Sequence, residues 1–199
     1  MTATQERVRI IDTVVLSDDW YVLKKTIFDF QRRDGAWQRQ SRETYDRGNG
    51  ATILLFDRAR KTVILTRQFR FPVFVNGHDG MLVEAPGGLL DNASPEERIR
   101  AEVEEETGYR VRDVQKVFEA YMSPGSVTEK LHFFFAEYDA ASRIGDGGGI
   151  EAEGEDLEVI ELTFDDALAA VRRGDIVDAK TIMLLQHAAL TGVMERRTR

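Results

Sequence analysis

Strand-like patterns fill the first half of the chain, and helical spacing appears only later. Residues 8–16 are apolar at intervals, and residues 20–30 are rich in aromatic and β-branched side chains. Both read as strands. Asp34-Gly35 sits between two such runs and predicts a hairpin turn. Residues 51–56 and Thr62–Phe69 form two more expected strands, joined by a polar turn at 57–61. A short strand over 82–85 leads into Gly87-Gly88. The first helix begins at Ser94, an N-cap followed by Pro95 at the first helical position and by Glu97, which completes a capping box. Gly108 is placed to stop it. Strands resume at 111–122 and 131–138, and residues 143–155 make a loop rich in glycine and acid. After a strand at 157–162, Thr163 caps a helix ending before Gly174, and Asp178 caps another running to about Leu190. The tail from Gly192 is expected to fray. This order predicts an α+β fold, a sandwich of mixed sheets with helices packed outside.

Composition narrows the class. The 199 residues suit one domain of moderate size with a small accessory element, and 42% apolar content is ample for a packed core. No run approaches the ~18 apolar residues of a membrane-spanning helix. The N-terminus MTATQERVRIIDT lacks the apolar centre of a signal peptide. There is no cysteine, which removes disulfides, thiolate nucleophiles and cysteine–zinc sites and fits a reducing, cytoplasmic setting. The net charge of −8 argues against a nucleic-acid partner, since phosphate backbones need clustered cations. It suits a protein that meets an anionic small molecule through divalent cations.

One segment carries chemistry: GGLLDNASPEERIRAEVEEETGY, residues 87–109. Glu102, Glu105 and Glu106 are spaced i, i+3, i+4, so on a helix they share a face with Cβ atoms about 5–6 Å apart. Three like charges that close repel. Hard cations with oxygen ligands would discharge them, and Mg2+ favours a few carboxylates plus substrate phosphates. The spacing equally allows a solvated acidic face, with Arg98 and Glu102 a surface ion pair. Glu96, Glu97 and Glu104 fit that plainer reading.

The segment resembles the Nudix box, in which glycine, five residues, glutamate and seven residues precede Arg-Glu-apolar-any-Glu-Glu-any-Gly-apolar. Gly87, Glu102, Val103, Glu105, Glu106, Gly108 and Tyr109 fall on its positions. Ala93 replaces the first glutamate and Ala101 the arginine, a pair that supports the rigidity of loop and helix; alternatively, Gly88 is the box glycine and the loop is one residue short. Further segments are similar to the GDP-mannose pyrophosphatase group of the ADP-ribose pyrophosphatase-like Nudix enzymes. They are Arg42-Glu43-Thr44-Tyr45-Asp46-Arg47-Gly48-Asn49-Gly50, Arg67-Gln68-Phe69-Arg70, and Tyr121-Met122-Ser123-Pro124-Gly125-Ser126-Val127-Thr128-Glu129.

The resemblance implies a Nudix fold, Mg2+ dependence (Mn2+ as a substitute) and a homodimer whose N-terminal strands contribute to the partner's substrate site. Residues 1–50 would form that N-terminal element and 51–199 the hydrolase domain. It implies Glu102, Glu106 and the Gly87 carbonyl as metal ligands, with Glu105 a further carboxylate. Glu155 would reach metals and water from the opposite wall as the base, with Glu151 and Glu153 as competitors. Arg70 would contact the pyrophosphate through its fork of donors. Ser41, Arg42, Glu43, Gly88, Leu89, Glu129 and Lys180 match substrate-binding positions, and Trp20 would stack on the guanine. Core or interface packing is the alternative for Trp20. Gly147-Gly148-Gly149 reads as the hinge of a mobile loop. His78, His132 and His187 share no motif and are expected to be structural or exposed.

The activity implied is hydrolysis of a nucleoside diphosphate sugar, GDP-mannose first and ADP-ribose second. A nucleotide-sugar sensor that does not cut and a purely structural acidic dimer are the readings of other classes.

Overall fold

A computed structural model describes residues 5–195. The chain divides into two compact units: residues 1–49 with 121–130, and residues 50–120 with 131–199. Among the described residues no helix is long and apolar enough to cross a membrane.

The first unit is built on a three-stranded antiparallel sheet, β1 (Val8–Asp18), β2 (Val22–Gln31) and β3 (Trp37–Asp46), in that order. The turn after β2 contains the expected Asp34-Gly35, with Gly35 at φ +86°. Apolar residues of β1 stay uncovered: Ile10, Val14 and Leu16 are all exposed. A single sheet layer has no second layer of its own to bury them.

The second unit is layered around a seven-stranded mixed sheet. Its central order is β10 (Glu158–Thr163), β5 (Thr62–Phe69), β4 (Gly50–Asp57), β9 (Lys130–Glu137) and β8 (Val114–Tyr121). β6 (Met81–Glu84) pairs with β5, and β7 (Gly87–Leu89) pairs with β4. β4 and β9 run parallel, and β4 is buried along its whole length. A strand buried on both faces reads as the continuous apolar run that residues 51–56 are. Ala51, Ile53 and Leu55 pack with Phe134, Ile99 and Val103 under helix α2 (Pro95–Glu102). On the other face, Phe135 meets His187 of helix α4 (Ala179–Thr191), beside α3 (Phe164–Arg173). The expected helix–sheet–helix sandwich is therefore present.

The capping residues act as read. The Ser94 hydroxyl accepts the Glu97 N–H, Thr163 accepts that of Asp166, and Asp178 accepts that of Thr181. Four features differ from the sequence reading. A five-residue helix α1 (Phe71–Val75) follows β5, and the Gly87-Gly88 pair lies in β7 rather than in a bare turn. The helix from Ser94 does not stay α to Gly108 but widens into a π turn over Val103–Thr107. Part of the tail expected to fray is docked: Met194 is buried and the Val193 carbonyl accepts from Arg58 Nε at 2.8 Å. The remainder, 196–199, lies outside the described residues.

Candidate active site

The acidic helix offers a buried pair rather than an exposed ridge. Glu102 and Glu106 are buried, whereas the Glu105 side chain keeps 33% of its exposure. The π turn gives the reason. More residues per turn leave position i+4 beside i and swing i+3 further aside. Glu106 thus lies with Glu102, and Glu105 moves to the rim.

Two contacts define the pair. The Gly87 N–H donates to Glu106 Oε2 at 3.1 Å, which brings the backbone of Gly87 to the carboxylates. Arg98 Nη2 lies 2.6 Å from Glu102 Oε1, and its Nη1 lies 3.8 Å from Glu105 Oε2. Arg98 is more than the surface partner that spacing allowed, because Glu102 is buried. Its Nε also donates to the Leu89 carbonyl at 3.1 Å. That contact ties the loop 89–94 to the helix, where Ala93 and Ala101 cannot. Gly88 is in contact with the same carboxylate: a Cβ there would stand 1.8 Å from Glu102 Oε1. Only glycine lets the strand run this close to the acid.

One guanidinium does not discharge the pair. Burial, then the nearby Glu105 and Glu155, push the Glu102 carboxyl up to about 7 against the pull of Arg98. Burial and the neighbouring Glu102 push Glu106 up to about 8. Glu155 adds to both shifts, which places it within electrostatic reach of the pair. Of the three loop acids, Glu151 is exposed in a 3-10 turn, and the Glu153 side chain lies outside the described part of the structure. Glu155 is half-buried and accepts the Ile150 N–H at 2.9 Å.

The glycine-rich loop that carries these acids is not a free hinge. The Gly148 N–H donates to the Glu106 carbonyl at 2.9 Å, and the Gly149 N–H to that of Glu105 at 3.1 Å. These bonds satisfy carbonyls that a helix end leaves open. A Cβ on Gly147 would stand 2.5 Å from the Glu106 carbonyl oxygen, so the backbones pack without room for a side chain.

A second charged cluster adjoins the first, and the sequence reading missed its centre. Glu84, at the end of β6, is 2% exposed. Its carboxylate accepts from Arg70 Nε at 2.9 Å and Nη2 at 3.0 Å, and from Lys180 Nζ. Lys180 is also 3.0 Å from Asp178 Oδ1. Burial pushes Glu84 up, but Lys180 and Arg70 overcome it and hold the carboxyl at about 2. A signal existed in the sequence: period-2 counting puts Glu84 on the face of buried Leu82, where a carboxylate needs a partner.

The remaining candidates, Trp20, Ser41, Arg42, Glu43 and Glu129, belong to the first unit. Trp20 is 79% exposed, so it is no core residue. Ser41, Arg42 and Glu43 are exposed along β3. Glu129 pairs with Arg47 at 3.4 Å. A cleft of about 450 Å³ bounded by Arg60, Phe164 and Met194 contains none of the candidate residues.

Among the described residues no three acidic or histidine side chains form a ready-made cation cage. Glu102, Glu106 and Glu155 each spend an oxygen on the contacts above. The donor set still fits a hard cation: buried carboxylate oxygens crowded enough to resist ionisation, with a backbone segment beside them.

Comparison with known proteins shows the family. A model described as the NUDIX domain matches residues 46–185, and one described as the GDP-mannose pyrophosphatase NudK N-terminal domain matches residues 7–45. The chain belongs to the Nudix family. A relative from Pectobacterium atrosepticum, named GDP-mannose pyrophosphatase, is 59% identical over 184 residues, covering 92% of this chain and 94% of its own. One of the same name from Cronobacter sakazakii is 53% identical over 189 residues, covering 94% and 98%. The Nudix fold is also shared with a crystal structure of an ADP compounds hydrolase, at TM-score 0.70 and 17% identity, covering 94% and 96% of the two chains.

Proposed function

We propose that this Nudix hydrolase cleaves the pyrophosphate of GDP-mannose to GMP and mannose 1-phosphate, with Mg2+ as cofactor and Mn2+ as a substitute. The observation that carries the reading is the buried Glu102–Glu106 pair, under-compensated and next to cations suited to phosphate. The names and high identity of the relatives support the choice of substrate.

Glu102, Glu106 and the Gly87 carbonyl would hold the metal, with Glu105 at the rim. When bound, Mg2+ would lower the pKa of a water and screen the diphosphate. Glu155 takes the proton as the water oxygen bonds to one phosphorus and the bond to the bridging oxygen breaks. Arg70 and Lys180 bind phosphate oxygens. Gly88 and Leu89 line the approach, and Trp20, Ser41, Arg42, Glu43 and Glu129 recognise base and sugar. The exposed apolar residues of β1 support a homodimer. The cysteine-free chain suits the cytoplasm.

Incubation of the purified protein with Mg2+ and GDP-mannose, GDP-glucose or ADP-ribose, with product analysis, tests this. GMP release from GDP-mannose, abolished by chelator, is expected. If all three substrates stay intact, the enzyme reading fails.

A further inference from the structure

Two of the cations assigned to phosphate binding are not free-standing. Arg70 and Lys180 lie 110 positions apart in sequence, yet both donate to the buried carboxylate of Glu84. Arg70 makes the two parallel N–H···O bonds that fix a guanidinium plane. Arg70 also feels Glu106, so the cluster adjoins the carboxylate centre. The same segment is held at its backbone. The Ala85 N–H donates to Thr181 Oγ1 at 2.6 Å, and the Pro86 carbonyl accepts the Thr52 hydroxyl at 3.0 Å. Two residues on, Gly87 donates to Glu106. One short stretch therefore connects the cations to the metal-binding acids.

We propose that Glu84 is a positioning residue that holds Arg70 and Lys180 as one aimed cationic pair beside the carboxylate centre. The inference rests on the phosphate-binding role given to those two residues above. Two long flexible side chains would otherwise sample many rotamers and lose entropy on closing around a diphosphate. Anchored to one rigid carboxylate, they meet the substrate already oriented, which lowers the barrier through geometry. Glu84 offers no free path to substrate itself, being enclosed by its partners.

The test is a mutant cycle on GDP-mannose turnover with Mg2+. Glu84→Gln should lower kcat by about ten-fold or more, while KM moves by less than about three-fold. The freed cations still attract the diphosphate but no longer hold it for reaction. In an Arg70→Ala background the same substitution should cost less than about three-fold, because Glu84 acts through the residue already removed. By NMR, the Arg70 Nε–H should exchange slowly in the wild type and rapidly in Glu84→Gln, with Mn2+ affinity unchanged. Should Glu84→Gln fail to fold, Glu84→Asp keeps the buried charge but withdraws it by one methylene, and kcat should again fall. Wild-type kcat in whichever variant folds, or an equal cost in both backgrounds, overturns the proposal. A wild-type protein inert to all three substrates sinks the function and this inference together. An active wild type with an unaffected Glu84 variant overturns this inference alone.

Discussion

Glu84 and Glu106 are the same residue type, equally buried at 2% exposure, and they sit in opposite electrostatic states. Glu84 is held at about 2 by two cations, whereas Glu106 is pushed up to about 8 by burial and by Glu102. Burial alone therefore does not mark a functional carboxylate. A buried acid with its own cations is a finished ion-pair network, and breaking it leaves charges stranded. A buried acid beside another acid is unfinished and gains from a partner supplied in solution. The molecule keeps the two adjacent: one set orients cations, the other awaits one.

Four measurements, on variants or across pH, test that contrast. The largest effect belongs to Glu106→Gln, which should cut Mg2+-dependent turnover of GDP-mannose by about a thousand-fold, through loss of charge at the metal. The metal-free variant should melt higher than wild type at pH 8, because glutamine removes the cost of keeping that buried carboxyl protonated or charged. Glu84→Gln should do the reverse to stability, lowering it by about 3 kcal/mol in denaturant titration as its buried partners lose their counter-charge. If both variants shift stability in the same direction, the contrast is wrong. Gly88→Ala comes next: its Cβ would need the space of Glu102 Oε1, so Mn2+ affinity by calorimetry should weaken about ten-fold.

The smallest effect is on pH dependence. Glu102 and Glu106 hold protons in the folded state at pH values where unfolded glutamates have released them. Unfolding thus releases protons between about pH 4.5 and 8, and stability contributed by these groups falls as pH rises through that window. Metal-free melting temperature should drop from pH 5 to 8. The drop should be smaller with saturating Mg2+ and smaller in Glu106→Gln.

Much of this was legible where the physics is local. Ser94, Thr163 and Asp178 announce helix starts because each cap satisfies N–H groups two or three residues away. The spacing of Glu102 and Glu106 placed two acids together because helical periodicity is short-ranged. What escaped depends on distant partners. The alternation in MLVE marks Glu84 as an acid that needs a partner, but that partner, Lys180, lies 96 positions later and no local window names it. The π turn over Val103–Thr107 carries no residue signature, so Glu105 was grouped with a pair it only borders. The triple glycine looked like a hinge because glycine is permissive alone. Its tight docking on the end of the acidic helix is visible only in three dimensions.

The buried Glu102–Glu106 pair is proposed to be completed by a divalent cation. Mg2+ binding measured by calorimetry at pH 7, in buffers of different ionisation enthalpy, counts the protons released. Release of about one proton or more per protein is expected, since both carboxyls must ionise to bind metal, with less in Glu106→Gln. Binding without proton release, or no binding, would contradict it.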